Sequence, residues 1–503
     1  MNRGATPSIA RRASLSRAAG AGRERRASLP SAYLPLAGLA VALSAAGWFD
    51  PARDTNIFLT YISASIVFFF MVNDGYLVLR GAGTIGRFLL TLGVFYWFWV
   101  EALSMALSDP AFPLADPVYP YFGYFIPDDI VATGILAVNI FTLAMLWGWS
   151  YLKLPKRFVA ALSSRRDPPS TGFFDVVVFA VACLYWVPIL LEFQGSITAT
   201  ANALLAMRSL TEVERVDVGI LSHLRWFGLF GGALGLARVL TMRPGIRLLQ
   251  IAAVGIVLPG AFLSSSRYTM GYVALPAIIM LLARVQGAGG WRRRRFLVAV
   301  AAASLALILL VQGAVRTSGL RSYVLGSELS TEQIIAESFK AGFIGHEHFT
   351  AMSMAIGIVP RHHDYFMEPV APYFVFHFIP RPWWPDKPIS ESWLFYNDTV
   401  TQGRAFNVTP SVVGQYYMNW GFPGVLLIGL VLGWFARIGE YWFNLLDLRR
   451  QMLSATVCGL WLVFIFLSFR IVSPLYFQYV AFGFIAYRLL SRRMPPGLRG
   501  RPT

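Results

Sequence analysis

The chain alternates between long apolar runs and shorter polar or basic segments over most of its length. A run of about 17–25 apolar residues is long enough to cross the hydrocarbon core of a bilayer as an α-helix. Twelve such runs predict twelve transmembrane helices, and an even number places both termini on one side of the membrane. Their limits are 32–49, 56–79, 88–107, 130–152, 172–193, 219–240, 247–264, 269–286, 296–314, 415–436, 452–470 and 474–491.

The composition supports this interpretation. Of the 503 residues, 56% are hydrophobic and only 14% are charged, whereas a soluble domain carries roughly 25% charged residues. So few charges cannot cover the surface of a cytosolic enzyme, and the composition also excludes a disordered protein. Cys183 and Cys458 both lie in apolar runs, so neither is placed for an extracytoplasmic disulfide. We therefore predict an all-α, polytopic integral membrane protein.

The net charge of +17 fits one orientation of these helices. With the N-terminus inside, the cytoplasmic segments hold about 30 of the 43 lysines and arginines, as the positive-inside rule requires. The run of four arginines at 292–295 then anchors the topology, and no nucleic-acid partner is expected. Residues 1–31 are predicted to form a disordered basic cytoplasmic tail, and residues 492–503 a second cytoplasmic tail.

One predicted outer segment is far longer than the others. Residues 315–414 separate the ninth and tenth spans and hold five of the six histidines. Long loops of this kind are where a membrane protein carries chemistry. Ser330 and Gln333 fit a capping box, so we predict that residues 331–357 form a helix at the membrane surface.

This loop contains four candidates for a general acid or base. Three of them, His346, Glu347 and His348, are consecutive, and Asp386 follows later. Neighbouring residues of a regular helix point about 100° apart, so His346 and His348 cannot face one site together. The alternative is that these side chains form an interfacial polar face. The sequence does not choose among the candidates.

A proline-rich motif follows at residues 378–388, with the sequence FIPRPWWPDKP. Its four prolines prevent a helix, and its tryptophans suit a membrane–water interface. The motif presents Arg381, Asp386 and Lys387 from a stiff turn, either to a substrate or as a structural plug with an Arg–Asp pair. The following segment contains Gly414 and Gly421, which permit close packing of the tenth span.

Several arginines are predicted at the outer ends of the spans. An arginine within a membrane needs a partner, and several at one depth indicate a bound anion, because the guanidinium group suits phosphate oxygens. Snorkelling or helix-end anchoring is the alternative for one or two of them. The group comprises Arg225 in the sixth span, Arg267 after a serine turn, Arg316, Arg321 and Arg470.

Three of these features together resemble the O-antigen polymerase, or oligosaccharide repeat-unit polymerase, family. They are the Arg267 turn, the motif at 378–388, and the segment that runs from Thr409-Pro410-Ser411 through Tyr416, Asn419, Gly421 and Gly424. The similarity covers about residues 255–440. It implies a GT-C-like, lipid-linked glycosyltransferase.

The resemblance also implies a reaction and a location. Such enzymes join oligosaccharide repeat units carried on undecaprenyl pyrophosphate into a surface polysaccharide or exopolysaccharide, at the periplasmic face of the bacterial inner membrane. An acceptor hydroxyl attacks the activated sugar without a metal, a cofactor or a nucleotide sugar. Arg267, Arg381 and Lys387 match the family's motif positions. Expected partners are the lipid-linked oligosaccharide, membrane lipid, a chain-length regulator and a flippase.

Other functions stay open at this point. An O-antigen ligase uses the same donor with a different acceptor. A flippase or transporter could use Glu101, Asp175, Glu192 and Arg225 as transport charges. A membrane acyltransferase would suit the loop histidines. The polar groups concentrate at the outer side rather than at the midplane, which favours an enzyme over a transporter.

Overall fold

The computed structural model describes a helical, multi-pass membrane protein. It covers residues 30–80, 84–108, 126–163, 165–167, 172–198, 200, 219–241, 248–263, 267–285, 296, 300, 348–376, 378–379, 383–401, 409–446 and 451–493. Within these residues, six helical segments are long and apolar enough to cross a membrane. They are Arg53–Leu79, Ile85–Leu107, Asp128–Tyr151, Gly172–Glu192, Gly219–Leu240 and Ser411–Leu445.

The first half of the described chain contains helices at the first eight predicted spans. Three of these spans are irregular: Phe95–Trp99 is a π-helical turn, a turn at residues 184–185 divides the fifth span, and Gly219–His223 is a 3₁₀ turn. The helices are α1 (Tyr33–Phe49), α2 (Arg53–Leu79), α3 (Ile85–Val94), α4 (Val100–Ser108), α5 (Asp128–Tyr151), α6 (Lys156–Ser163), α7 (Gly172–Cys183), α8 (Trp186–Glu192), α9 (Leu224–Thr241), α10 (Leu248–Leu263) and α11 (Arg267–Val285).

The second half contains the outer loop and the last three predicted spans. Its helices are α12 (His348–Ile358), α13 (Val370–Phe376), α14 (Glu391–Thr401), α15 (Ser411–Leu445), α16 (Met452–Ser468) and α17 (Pro474–Leu490). The ninth predicted span, 296–314, lies outside the described residues except for Phe296 and Val300, which are both helical. The tails 1–29 and 494–503 also lie outside them.

Polar contacts define two opposite ends of the helical bundle. At the end predicted to be cytoplasmic, the amide of Gly86 donates to Glu440 at 2.7 Å, and Trp434 donates to the carbonyl of Lys153. A two-stranded antiparallel pairing lies there too, between β1 (Arg165–Arg166) and β2 (Arg492–Arg493). At the other end, Arg361 pairs with Asp129. The loop between α6 and α7 and the start of the C-terminal tail therefore share one end, as their predicted positions require.

Helices α5 and α15 form the most extensive contact between described helices. A methyl group on Gly148 would overlap the backbone of Leu430, and one on Gly433 would overlap the carbonyl of Met145. Such close approach is typical of membrane helices that meet through small residues. Asn139 of α5 also donates to Ser44 and Ser63, at 2.7 and 2.8 Å, and so links α5 to α1 and α2.

Two buried arginines in the inner half of the bundle have carboxylate partners. Arg87 bonds Asp74 at 2.8 Å, and Tyr33 donates to the same carboxylate. Arg238 bonds Asp175 at 2.8 Å. A buried charge is tolerated when it is paired and hydrogen-bonded in this way. These four residues therefore stabilise helix packing.

The structure corrects the prediction of a surface helix at 331–357 for the part of that segment that it describes. From His348 to Ile358 every residue is buried, and this helix packs against α5, α15 and the π turn. Residues 331–347 lie outside the described residues. The carboxylate of Glu101 accepts the amides of Phe349 and Thr350 at 2.6 and 3.3 Å, which satisfies the first N–H groups of α12. A helix with a buried, capped N-terminus belongs to the core, not to the membrane surface.

The tenth span begins earlier than predicted and is interrupted. Helix α15 starts at Ser411, four residues before the expected limit, and its backbone leaves helical geometry at Trp420 and Gly421. The outer loop satisfies the carbonyls that this break releases: the amides of Phe366 and Met367 donate to Met418 and Asn419 at 3.2 and 3.1 Å. The break is therefore built into the contact between α15 and the loop.

Candidate anion-binding site

Arg225 lies near the outer end of α9 and is half-buried. Its guanidinium group donates to the Tyr185 hydroxyl at 3.2 Å and lies 5.2 Å from the centre of the same ring. Its Nε atom is buried and has no hydrogen-bond partner among the residues that the structure describes. The carboxylate of Glu192 adds longer-range electrostatic attraction. The side chain is thus held mainly by an aromatic residue.

Arg470 follows α16 at the same end of the bundle and is also half-buried. It donates to the Thr409 hydroxyl and to the Tyr476 hydroxyl, both at 3.2 Å. Its guanidinium carbon lies 4.7 Å from the centre of the Tyr268 ring. Within the described part of the chain, neither Arg225 nor Arg470 has a carboxylate at ion-pair distance. Their positive charge is stabilised by hydroxyl groups and ring faces rather than neutralised.

Tyrosines connect the two arginines. The Tyr272 and Tyr479 rings stack at 3.6 Å between centroids and 8° between planes. The Tyr272 hydroxyl donates to the backbone carbonyl of Tyr476 at 3.0 Å, and Tyr268 lies 5.3 Å from Tyr476 between ring centroids. We call this group the arginine–tyrosine cluster. It consists of Tyr185, Arg225, Tyr268, Tyr272, Arg470, Tyr476 and Tyr479.

The proline-rich motif lies over this region. Phe378, its first residue, packs against Phe477 and Phe482 of α17 at 6.4 and 5.9 Å between ring centroids. Lys387 donates to the carbonyl of Ile379 at 2.9 Å, which closes the motif on itself. The backbone of Phe378 and the ammonium group of Lys387 both interact with the His223 ring at the start of α9. Lys387 therefore adds a cation beside the cluster.

The structure brings together some of the residues predicted from the sequence. Arg225 belongs to the cluster and Lys387 lies beside it. The backbone of Arg267 begins α11 immediately before Tyr268, so it lies at the same place. Arg316, Arg321, Arg381, His346 and Glu347 lie outside the described residues.

Two of the candidate acid–base residues are described, and neither contacts the arginines of the cluster. His348 is 6% exposed, and its ring packs edge-on against Trp97 at 4.8 Å between centroids, in the core that holds α12. Asp386 lies in an exposed turn of the proline-rich motif. The described residues do not bring either one into contact with Arg225 or Arg470.

Two of the charges that a transporter could use have structural roles. Glu101 holds the N-terminus of α12, and Asp175 accepts from Arg238 and from Gln250 at 2.8 and 2.7 Å. Among the described residues, no group of three histidine, cysteine or acidic side chains is arranged to hold a metal ion.

Two features escaped the sequence analysis. The tyrosines of the cluster come from the turn before α8, from α11 and from α17, and no local pattern distinguishes them from other membrane tyrosines. Glu368 is buried and accepts hydrogen bonds from Ser390, the amide of Glu391, and Ser392 at the start of α14. A lone glutamate before a proline-rich stretch gives no signal that it caps a helix twenty residues later.

Comparison of the chain with protein-family models, with curated proteins and with solved structures gives no match. The resemblance of its motifs to the O-antigen polymerase family therefore has to be tested by function.

Proposed function

We propose that this protein is a glycosyltransferase that polymerises oligosaccharide repeat units carried on undecaprenyl pyrophosphate at the outer face of the bacterial inner membrane. The observation that supports this most directly is the arginine–tyrosine cluster. Two arginines that have no ion-pair partner among the described residues lie at the predicted outer end of an apolar bundle, where an anionic lipid headgroup would meet the protein. Twelve spans with both termini in the cytoplasm form part of this proposal.

The proposed reaction uses the cluster to stabilise the leaving group. The acceptor hydroxyl attacks the anomeric carbon of the donor sugar and loses its proton to a base, while the bond between that carbon and the pyrophosphate oxygen breaks. Arg225 and Arg470 would bind the lipid pyrophosphate that departs with the electron pair. Pyrophosphate is a good leaving group, so the site needs no strong general acid.

The first test uses the purified full-length protein in liposomes with lipid-linked repeat units, and the products are resolved as a ladder on a gel. Arg470→Lys should keep the positive charge and the fold but lose about a hundredfold in rate, because lysine lacks the planar fork that holds two oxygens. Arg437→Lys is the control, since Arg437 donates to backbone carbonyls at the inner end. Polymer synthesis by Arg470→Lys at the wild-type rate would contradict the assignment.

Cells that lack the gene separate the proposed function from its alternatives. Single repeat units that accumulate on lipid at the outer face support the polymerase. Units that accumulate at the cytoplasmic face indicate a flippase. Long polymer that stays on its lipid carrier indicates a ligase.

A further inference from the structure

Three buried side-chain nitrogens have no hydrogen-bond partner among the described residues, and they lie on the outer parts of α9 and α17 and on the turn that leads into α9. They are Nδ1 of His223, Nε of Arg225 and Nε2 of Gln478. Gln478 is only 2% exposed. An unpaired amide in the apolar interior of a membrane helix costs free energy, so such groups commonly mark a binding site.

Packing places these side chains along one seam. The His223 ring lies 5.4 Å from the Phe482 ring between centroids. Gln478 precedes Phe482 by four residues and so lies on the same side of α17. Trp226, next to Arg225, packs against Tyr479, next to Gln478, at 4.4 Å. The three nitrogens therefore flank the contact between α9 and α17.

The seam adjoins the arginine–tyrosine cluster and is covered by the proline-rich motif. Arg225 and Tyr479 belong to both the seam and the cluster. Phe378 lies against Phe482 and its backbone interacts with the His223 ring. If the pyrophosphate of a substrate binds the cluster, the group attached to that pyrophosphate would lie along this seam, beneath the motif.

The chemistry of the seam suits a sugar better than a second phosphate. Gln478 and Arg225 offer N–H donors, whereas a neutral His223 ring whose other nitrogen bonds the Phe378 backbone offers its Nδ1 atom as an acceptor. A phosphate oxygen only accepts, but a sugar hydroxyl both donates and accepts. The rings of Phe378, Phe482 and Trp226 supply apolar surface for the C–H faces of a sugar ring. This mixture of aromatic surface and a few converging polar groups is typical of small-molecule sites.

We propose that His223 and Gln478 form a sugar-binding subsite that holds the sugar attached to the lipid pyrophosphate. The identity of this ligand rests on the proposed function. Gln478 donates to a sugar oxygen, and Nδ1 of His223 accepts a hydrogen bond from a sugar hydroxyl. The sequence does not single out either residue. His223 is the one histidine outside the long outer loop.

The test compares two probes bound to the purified full-length protein in nanodiscs: undecaprenyl pyrophosphate alone, and the lipid-linked oligosaccharide extracted from cells that lack the gene. Wild-type protein should bind the oligosaccharide-bearing lipid more tightly. Gln478→Leu and His223→Phe should each weaken that binding about tenfold and change binding of the bare lipid less than about twofold. Arg470→Lys should weaken the binding of both probes.

Gln250→Leu is the matched control, because it removes a buried amide at the opposite end of the bundle. Thermal unfolding and gel filtration identify variants that fail to fold, and Gln478→Met, which keeps a similar length but loses the amide donor without adding a charge, replaces Gln478→Leu if that variant is unstable. Equal loss of both probes, or unchanged binding in the variants, would overturn the subsite.

The two proposals fail in different ways. Wild-type protein that binds neither probe would refute the proposed function. Wild-type protein that binds both probes equally would leave the pyrophosphate site intact and overturn the sugar subsite alone.

Discussion

At the scale of single residues, the protein contains two kinds of buried arginine. Arg87 and Arg238 have aspartate partners, so their charge is neutralised and they serve packing. Arg225 and Arg470 are held by tyrosine hydroxyls and rings, which orient a guanidinium group without cancelling its charge. Only the second kind keeps enough positive potential to attract an anion. The sequence shows all four as arginines in apolar runs, because their partners come from distant helices.

Asp167 offers a prediction on pH dependence. Its carboxylate accepts the amide of Leu453 at 2.5 Å at the start of α16, and burial raises its pKa to about 6. A carboxyl group whose folded-state pKa exceeds its unfolded value stabilises the fold at low pH, and this contribution is lost as the pH rises from about 4 to 6. The change amounts to about 3 kcal/mol.

Asp167→Asn should therefore be more stable than wild type at pH 7.5 and lose this part of the pH dependence, because asparagine keeps an acceptor oxygen without the charge. Thermal unfolding in detergent between about pH 4 and pH 8 measures this. Asp398→Asn, at an exposed position, serves as the control. Equal stability of Asp167→Asn and wild type at both ends of this range would refute the prediction.

At the scale of secondary-structure elements, the apolar periodicity predicts where helices lie but not where they break. The limits of α1, α5, α10 and α17 agree with the predicted spans within two residues. The π turn at Phe95–Trp99 and the break at Trp420 lie against the outer loop. The capping box at Ser330 and Gln333 predicts a helix over 331–357 but does not indicate that its second half is buried. Partners that are distant in sequence leave no local signal.

Gly421 is the residue at the break of α15 whose substitution should lower the stability of the protein most. Its φ of +61° with ψ of −149° is a conformation that suits glycine alone, and an added methyl group would lie 3.1 Å from the Tyr365 hydroxyl. Gly421→Ala should destabilise the protein by about 1–3 kcal/mol and loosen the contact between α15 and residues 365–368.

Thermal unfolding measures the loss of stability, and limited proteolysis within residues 365–368 measures the loosening. Gly255→Ala is the control, because Gly255 has ordinary helical geometry and open space around it, so alanine should be neutral or stabilising there. Equal unfolding temperatures for the two variants would show that the break tolerates a side chain.

At the scale of the whole molecule, function depends on which end of the bundle faces outward. The contacts of Glu440, Lys153 and Asp167 define one end, and those of Asp129, Thr409 and Arg470 define the other. The excess of basic residues in the segments at the first end predicts that it is cytoplasmic. The arginine–tyrosine cluster would then face the periplasm, as the proposed reaction requires.

Single cysteines at the two ends test this orientation in a background with Cys183→Ala and Cys458→Ala. Asp364 and Arg157 are both exposed, at the predicted outer and inner ends respectively. In intact spheroplasts, a membrane-impermeant thiol reagent should label Asp364→Cys, whereas Arg157→Cys should react only after permeabilisation. The opposite pattern would place the cluster on the cytoplasmic side, out of reach of periplasmic acceptors, and the proposed polymerase could not operate there. Because the polar contacts fix each end of the bundle independently of the orientation, this one measurement assigns both ends.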